Sequence, residues 1–101
     1  MAKKHLFVDK TEIVAVVLGK KKAFTHNLRY DQISSIKFEK CKEFRLFRLV
    51  PSEKIVITSP KLPNPVEFMK YKEKQYFEEY KKELGKFAKD NRITFHDAIG
   101  G

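Results

Sequence analysis

The sequence predicts a mainly β domain with one C-terminal α-helix, in which bent sheets or a partly open barrel of seven strands are capped by that helix. Two observations predict it. Seven short stretches of strand character occupy residues 5–70, each an apolar or β-branched run cut by turn residues. From residue 72 the apolar period lengthens from two to near 3.6 and holds to residue 90, the mark of one amphipathic helix. At 101 residues and 11.9 kDa the chain has room for a single core. Residues 1–91 are expected to form one domain and 92–101 a tail.

Leu6-Phe7-Val8, the turn Asp9-Lys10-Thr11-Glu12 and the run Ile13–Leu18 read as a first hairpin. Gly19 is expected to supply positive φ for a second tight turn with Lys20 and Lys21. The strand that follows, residues 22–28, places Phe24, His26 and Leu28 on one face. Tyr30-Asp31-Gln32 interrupts the pattern, and then Ile36 and Phe38 alternate with Lys37 and Glu39 as in a half-buried strand. In the next stretch, Phe44–Val50, Phe44 and Leu46 oppose Arg45, Phe47 and Leu49, so both faces carry apolar groups. Pro51-Ser52-Glu53 reads as a turn and Lys54–Ser59 as a strand. Three of the four prolines fall in residues 60–65, too many missing N–H donors for a ladder, and Val66–Met69 is a last short strand.

In the helix predicted over 72–90, Phe77, Tyr80, Leu84, Phe87 and Ala88 fall within one arc of roughly 100° and form the core-facing stripe. Glu78 with Lys82 and Lys86 with Asp90 are spaced for ion pairs on the opposite side. Gly85 costs about 1 kcal/mol against Ala in a helix interior and asks for a reason such as close backbone approach. Asn91, tolerant of the left-handed conformation, is the expected stop. Ile93 and Phe95 suggest a short extended piece, and Gly100-Gly101 is expected to fray.

Net charge is +9, and its distribution is informative: residues 1–71 carry 15 basic and 7 acidic side chains, while residues 72–90 are almost balanced. The positive field belongs to the strand-rich part and attracts phosphate, anionic lipid or an acidic protein surface without choosing among them. The basic start, Met1-Ala2-Lys3-Lys4-His5, leads into an apolar run broken by Asp9, Lys10 and Glu12, which is not the pattern of a signal peptide. With no stretch long enough for a membrane span and a single cysteine, Cys41, the expected setting is the cytoplasm.

Candidate chemistry is sparse. Lys20-Lys21-Lys22 on a hairpin turn is a candidate anion-binding patch, and it reads more simply as a solvated turn whose lysines guard against edge pairing. Arg45 and Arg48, three apart on a strand, are expected on opposite faces. His5, His26 and His96 show no metal-ligand spacing, and neither a metal nor a cofactor is expected. Asp31 with Ser34 and Ser35 is the best acid and serine cluster, with Asp31 read as a turn cap. Cys41 and His26 pair a thiol with a base, and Lys40 and Lys42 would favour the thiolate, but no orienting group or oxyanion donor accompanies them. No glycine-rich phosphate loop exists. Phe44-Arg45-Leu46-Phe47-Arg48 interleaves aromatic and basic residues as single-strand nucleic-acid binders do, yet opposed faces would present only one of the two phenylalanines.

The stretch Leu28-Arg29-Tyr30-Asp31-Gln32-Ile33-Ser34-Ser35-Ile36, set after two hairpins and before a strand, resembles a pattern of bacterial pleckstrin-homology-like (PH-like) domains. The resemblance covers residues 5–90 and implies two bent sheets packed near-orthogonally with a helix plugging one end. It also implies a binding scaffold without naming the ligand. Phosphoinositide-binding members of the wider superfamily hold a basic array at the first hairpin, whereas Asp9-Lys10-Thr11-Glu12 is half acidic, so a headgroup site is not expected there. The helix lacks the tryptophan of many eukaryotic members.

The expected function is therefore non-enzymatic: a PH-like module acting by protein contact, self-association included, with Phe47 and Leu49 as interface residues and no small-molecule substrate. The alternative is binding of anionic lipid or nucleic-acid phosphate through the basic strand-hairpin surface at Lys20, Lys21 and Lys22.

Overall fold

A computed structural model describes residues 4–99 of the chain; the fraying expected of Gly100-Gly101 and the first three residues of the basic start lie outside the described residues. The molecule is mainly β, with seven strands in two sheets and a single C-terminal helix. The strands are β1 (Leu6–Val8), β2 (Glu12–Leu18), β3 (Ala23–Arg29), β4 (Ser35–Arg45), β5 (Arg48–Thr58), β6 (Val66–Met69) and β7 (Thr94–Asp97), and the helix α1 is Phe77–Asp90. One sheet runs β1-β2-β3 and the other β6-β5-β4-β7. They do not close into a barrel, which fits a partly open PH-like arrangement.

Each sheet turns one row of apolar side chains inward. Leu6, Ile13 and Leu28 from the first meet Ile36, Phe38, Ile55, Ile57, Val66 and Phe68 from the second, and all are buried. The helix lays Phe77, Tyr80, Leu84, Phe87 and Ala88 into this core, the five residues its periodicity selects. Complete burial of a Leu, Ile or Phe side chain contributes about 1.5–3 kcal/mol before entropy is counted, so the helix face anchors the two layers.

The helix begins five residues later than its sequence pattern suggests. Residues 72–76 form successive turns, with Tyr76 N–H donating to the Glu73 carbonyl at 2.9 Å. The cause lies in Glu73, whose carboxylate is drawn inward: His5 Nδ1 lies 2.8 Å from Oε1, and the Tyr80 hydroxyl donates to that oxygen at 3.1 Å. The backbone N–H of His5 in turn donates to the Tyr80 hydroxyl at 2.7 Å, which ties the entry of β1 to the helix. Glu78 pairs with Lys81 at 3.6 Å in place of the expected Lys82, because Lys81 also reaches Glu53 at 3.5 Å.

At the far end the helix stops where expected but one residue differs in mechanism. Asn91 keeps φ −109°, and the left-handed position is Arg92 at φ 55°. Asn91 acts through its side chain, which donates to the Phe87 and Lys10 carbonyls. Gly85 has no close neighbour: nothing lies within 4 Å of where a Cβ would stand, so the expected close approach is absent. At Gly19 the reason is also different from a positive φ. A Cβ there would lie 2.9 Å from the Lys22 carbonyl oxygen and 3.1 Å from the Phe24 ring, so crowding excludes a side chain.

The largest departure concerns residues 39–58 and 92–97. Two strands with a turn at Pro51-Ser52-Glu53 were expected between residues 44 and 59; instead β4 runs through to Arg45, the chain reverses at Leu46-Phe47, and β5 passes straight through Pro51. Pro51 lies beyond the stretch of β5 that pairs with β6, Lys54–Ile57, so it interrupts no central ladder. Six strands therefore precede the helix. The seventh, through the expected extended piece at Phe95, follows it and pairs parallel to β4, with Phe95 edge-on to Phe38 at 4.9 Å.

Candidate functional site

The β4–β5 hairpin outruns its neighbours. β7 covers β4 only at Ser35–Phe38 and β6 covers β5 only at Lys54–Ile57, so Glu39–Arg45 and the facing part of β5 project as a two-stranded arm. Seven residues at about 3.3 Å each give the arm a reach of roughly 20 Å. Its outer end is braced against the body on one side: Glu43 accepts from the Ser52 hydroxyl and from the Tyr71 N–H, and the Arg45 guanidinium stacks on the Tyr71 ring at 4.6 Å.

At the end of the arm stand Leu46 and Phe47, 89% and 94% exposed, with Phe44 and Leu49 behind them at 68% and 62%. Both turn residues have positive φ, 49° and 67°. A two-residue loop with two positive φ angles is a type I′ turn, which suits the right-handed twist of the strands and is usually built from Asn-Gly. Large side chains in the left-handed region cost about 1–2 kcal/mol each. The tip therefore combines backbone strain with full exposure of apolar surface, and neither is explained by packing.

The turn also rewrites the faces expected for this segment. Arg45 and Arg48 become cross-strand partners and share one face, because the reversal lies between them; Phe44 and Leu49 share the other. Both Phe44 and Phe47 are exposed, where alternation along one strand allowed only one. Of the expected interface pair, Phe47 forms the tip and Leu49 flanks it. Phe44 and Leu46 join them, and no sequence signal marks them, since Leu46-Phe47 carries no turn chemistry.

The lysine patch lies elsewhere. Lys20, Lys21 and Lys22 occupy the β2–β3 turn, closed by Gly19 N–H to the Lys22 carbonyl at 2.9 Å, and all three are exposed. Lys22 sits 5.2 Å from the centre of the exposed Phe24 ring, and Leu18 is exposed beside the turn.

The catalytic candidates stay dispersed. Cys41 is on β4 opposite Ser52, and burial pushes its thiol up, partly offset by Ser52, so the flanking Lys40 and Lys42 do not leave it poised as a thiolate. His26 is on β3 in the other sheet, opposite Ala15. Asp31 does not cap its turn; the Gln32 side chain accepts from the Arg29 N–H at 3.0 Å, and Asp31 lies 3.9 Å from the Arg29 guanidinium. Ser34 joins β5 through its N–H to the Thr58 carbonyl at 2.7 Å. Among the described residues no group of three His, Cys, Asp or Glu side chains is placed to hold a metal, and no helix is long and apolar enough to cross a membrane.

Among the described residues, the His5–Glu73–Tyr80 cluster joins a base, an acid and a phenol in one part-buried polar network. It borders a hollow of about 260 Å³ lined also by Val17, Phe68 and Met69. Burial, with the Glu73 carboxylate beside it, pushes the Tyr80 phenol up to about 12, so the hydroxyl remains a proton donor at any ordinary pH. Each member is spent on another: Tyr80 donates to Glu73 and accepts from the His5 backbone. The network fastens β1 to the helix.

No protein-family model, no curated protein and no solved structure matches this chain.

Proposed function

We propose that this chain is a non-enzymatic binding module of PH-like architecture, working in a cytoplasmic setting by pressing the tip of its β4–β5 arm against a macromolecular surface. The observation that carries the reading is the pair Leu46 and Phe47, apolar, almost wholly exposed and held in a strained turn. Backbone strain at an exposed position supports a role at that position, because the surrounding structure gains nothing from it. Exposed apolar surface at an arm's end likewise marks contact with something outside the chain.

A protein surface, a second copy of this chain included, is one class of occupant. Sedimentation velocity over a range of concentrations tests self-association, with Leu46→Asn/Phe47→Gly as the comparison. Concentration-dependent association that the double substitution removes supports it, and a strict monomer throughout removes self-association from the reading. If every form of binding found for the chain is indifferent to the double substitution, the tip is not its working surface.

A second reading, capture of anionic phosphate on lipid or nucleic acid, is favoured by one specific observation: three exposed lysines on one turn beside exposed Leu18 and Phe24. It requires binding that weakens steeply with salt and is lost on reversing the charge of Lys20, Lys21 and Lys22. Salt-insensitive binding would rule it out.

A further inference from the structure

We infer that the occupant of the arm's tip is the polar–apolar boundary of an anionic lipid bilayer, entered by Leu46 and Phe47 with Arg45 and Arg48 at the phosphate level. This rests on the reading of the tip as the working surface and names what it touches.

Shape is the first argument. The tip is convex: a two-residue turn with Phe44 and Leu49 on one face behind it. A stable protein interface buries about 800 Å² on each partner, which requires a broad patch or a matching pocket. A bilayer needs neither, since its acyl and headgroup atoms close around whatever enters. Apolar side chains lodge in this boundary at a depth of about 5–10 Å, and Leu46 and Phe47 stand beyond the Arg45–Tyr71 contact where the body ends on that side.

Charge is the second. Residues 44–49 hold two arginines and no carboxylate. Arg45 and Arg48 are directly opposite each other, an arrangement that is unfavourable between like charges in water and that phosphates on both sides relieve. Arg45 is held on the Tyr71 ring, behind Leu46 and Phe47, so its guanidinium stays at the headgroup level while the tip goes deeper. Glu43, the nearest carboxylate along the arm, is turned to Ser52 and the Tyr71 N–H. Against a second copy, tip-to-tip contact would gather four arginines from chains that each carry net +9. The site differs from the lysine turn and from the first hairpin, and it selects for surface charge rather than for one headgroup.

Vesicle flotation with the whole chain tests this, using vesicles of phosphatidylcholine alone and of phosphatidylcholine mixed with phosphatidylglycerol. Binding to the mixed vesicles is expected, together with much weaker binding to the neutral ones. Leu46→Asn/Phe47→Gly, which keeps a type I′ turn, is expected to reduce partitioning roughly a hundredfold, since two fully inserted apolar side chains are removed. Arg45→Gln/Arg48→Gln is expected to reduce it by roughly tenfold or more on anionic vesicles only. Because the chain has no tryptophan, F47W places a single indole at the tip; its emission is expected to shift to the blue on the mixed vesicles and to be quenched by brominated acyl chains. Three results overturn the inference. Vesicle binding unaffected by the tip substitutions but lost on charge reversal at Lys20, Lys21 and Lys22 assigns lipid to the other hairpin. Absence of vesicle binding with tip-dependent self-association in sedimentation assigns the tip to protein and leaves the docking reading standing. Absence of both removes the docking reading as well.

Discussion

Replacing Leu46 and Phe47 by Asn and Gly should make the isolated protein more stable. The two native residues sit at φ 49° and 67°, where a large L side chain costs about 1–2 kcal/mol, so the turn carries about 2–4 kcal/mol of conformational strain. Asn tolerates the left-handed region and Gly occupies it freely, while Gly gives back about 0.5–1 kcal/mol through the greater freedom of the unfolded chain. Almost no folded-state burial is lost, since the two side chains are 89% and 94% exposed. The net gain is about 1–3 kcal/mol. Urea unfolding followed by circular dichroism measures it: the midpoint should rise with an unchanged m value, and Tm should rise by about 4–8 °C for each kcal/mol in a domain of this size. An unchanged or lower midpoint would refute the reasoning, because it would mean either that the turn is not type I′ or that the tip packs on the protein. A higher midpoint together with lost docking would show that stability has been given up at this site for function.

Two further expectations concern the helix. Gly85→Ala should stabilise by about 0.5–1 kcal/mol, because Gly is entropically costly in a helix interior and the space around its Cα is empty, and a lower urea midpoint would contradict that. Tyr80 governs behaviour in alkali. Its phenol is raised from 10.0 to about 12 in the fold, so the folded state holds a proton that the unfolded chain releases; the stabilisation is complete below pH 10 and is lost as pH rises toward 12. Tyr80→Phe should flatten that alkaline loss and lower stability at neutral pH by about 1–3 kcal/mol, since the His5 N–H loses its acceptor and Glu73 a donor. Unfolding curves at pH 9 and above for both proteins, showing the same pH dependence, would refute the assignment.

Much of the fold was legible because burial dictates period. The helix stripe from Phe77 to Ala88 and the inward alternation of Ile36 and Phe38 both follow from side chains that have one place to go. The β4–β5 reversal was not legible, and the reason is physical. Pro51-Ser52-Glu53 has good turn chemistry and Leu46-Phe47 has poor turn chemistry, so local preference pointed to the wrong place; register with β6 and β7 decided it instead. The same misplacement hid the site. With Leu46 and Phe47 read as strand, Arg45 and Arg48 were assigned to opposite faces and the apolar cluster was divided between them. A turn whose residues contradict its geometry is visible only once the geometry is known. The late start of the helix was equally hidden, because it depends on a carboxylate at Glu73 reaching His5 across 68 positions.

The placement of β7 has a consequence for how the molecule is made. Every other pairing joins strands that follow one another along the chain, and such hairpins close quickly. The seam between β4 and β7 is different, since Ser35 waits for Thr94. While a ribosome is still producing the helix, the backbone of Ser35–Phe38 has no partner along that margin, and Phe38 lacks the ring that later meets it edge-on. The newborn chain thus passes through an interval in which an adhesive rim faces solvent, and residues 94–97 end that interval.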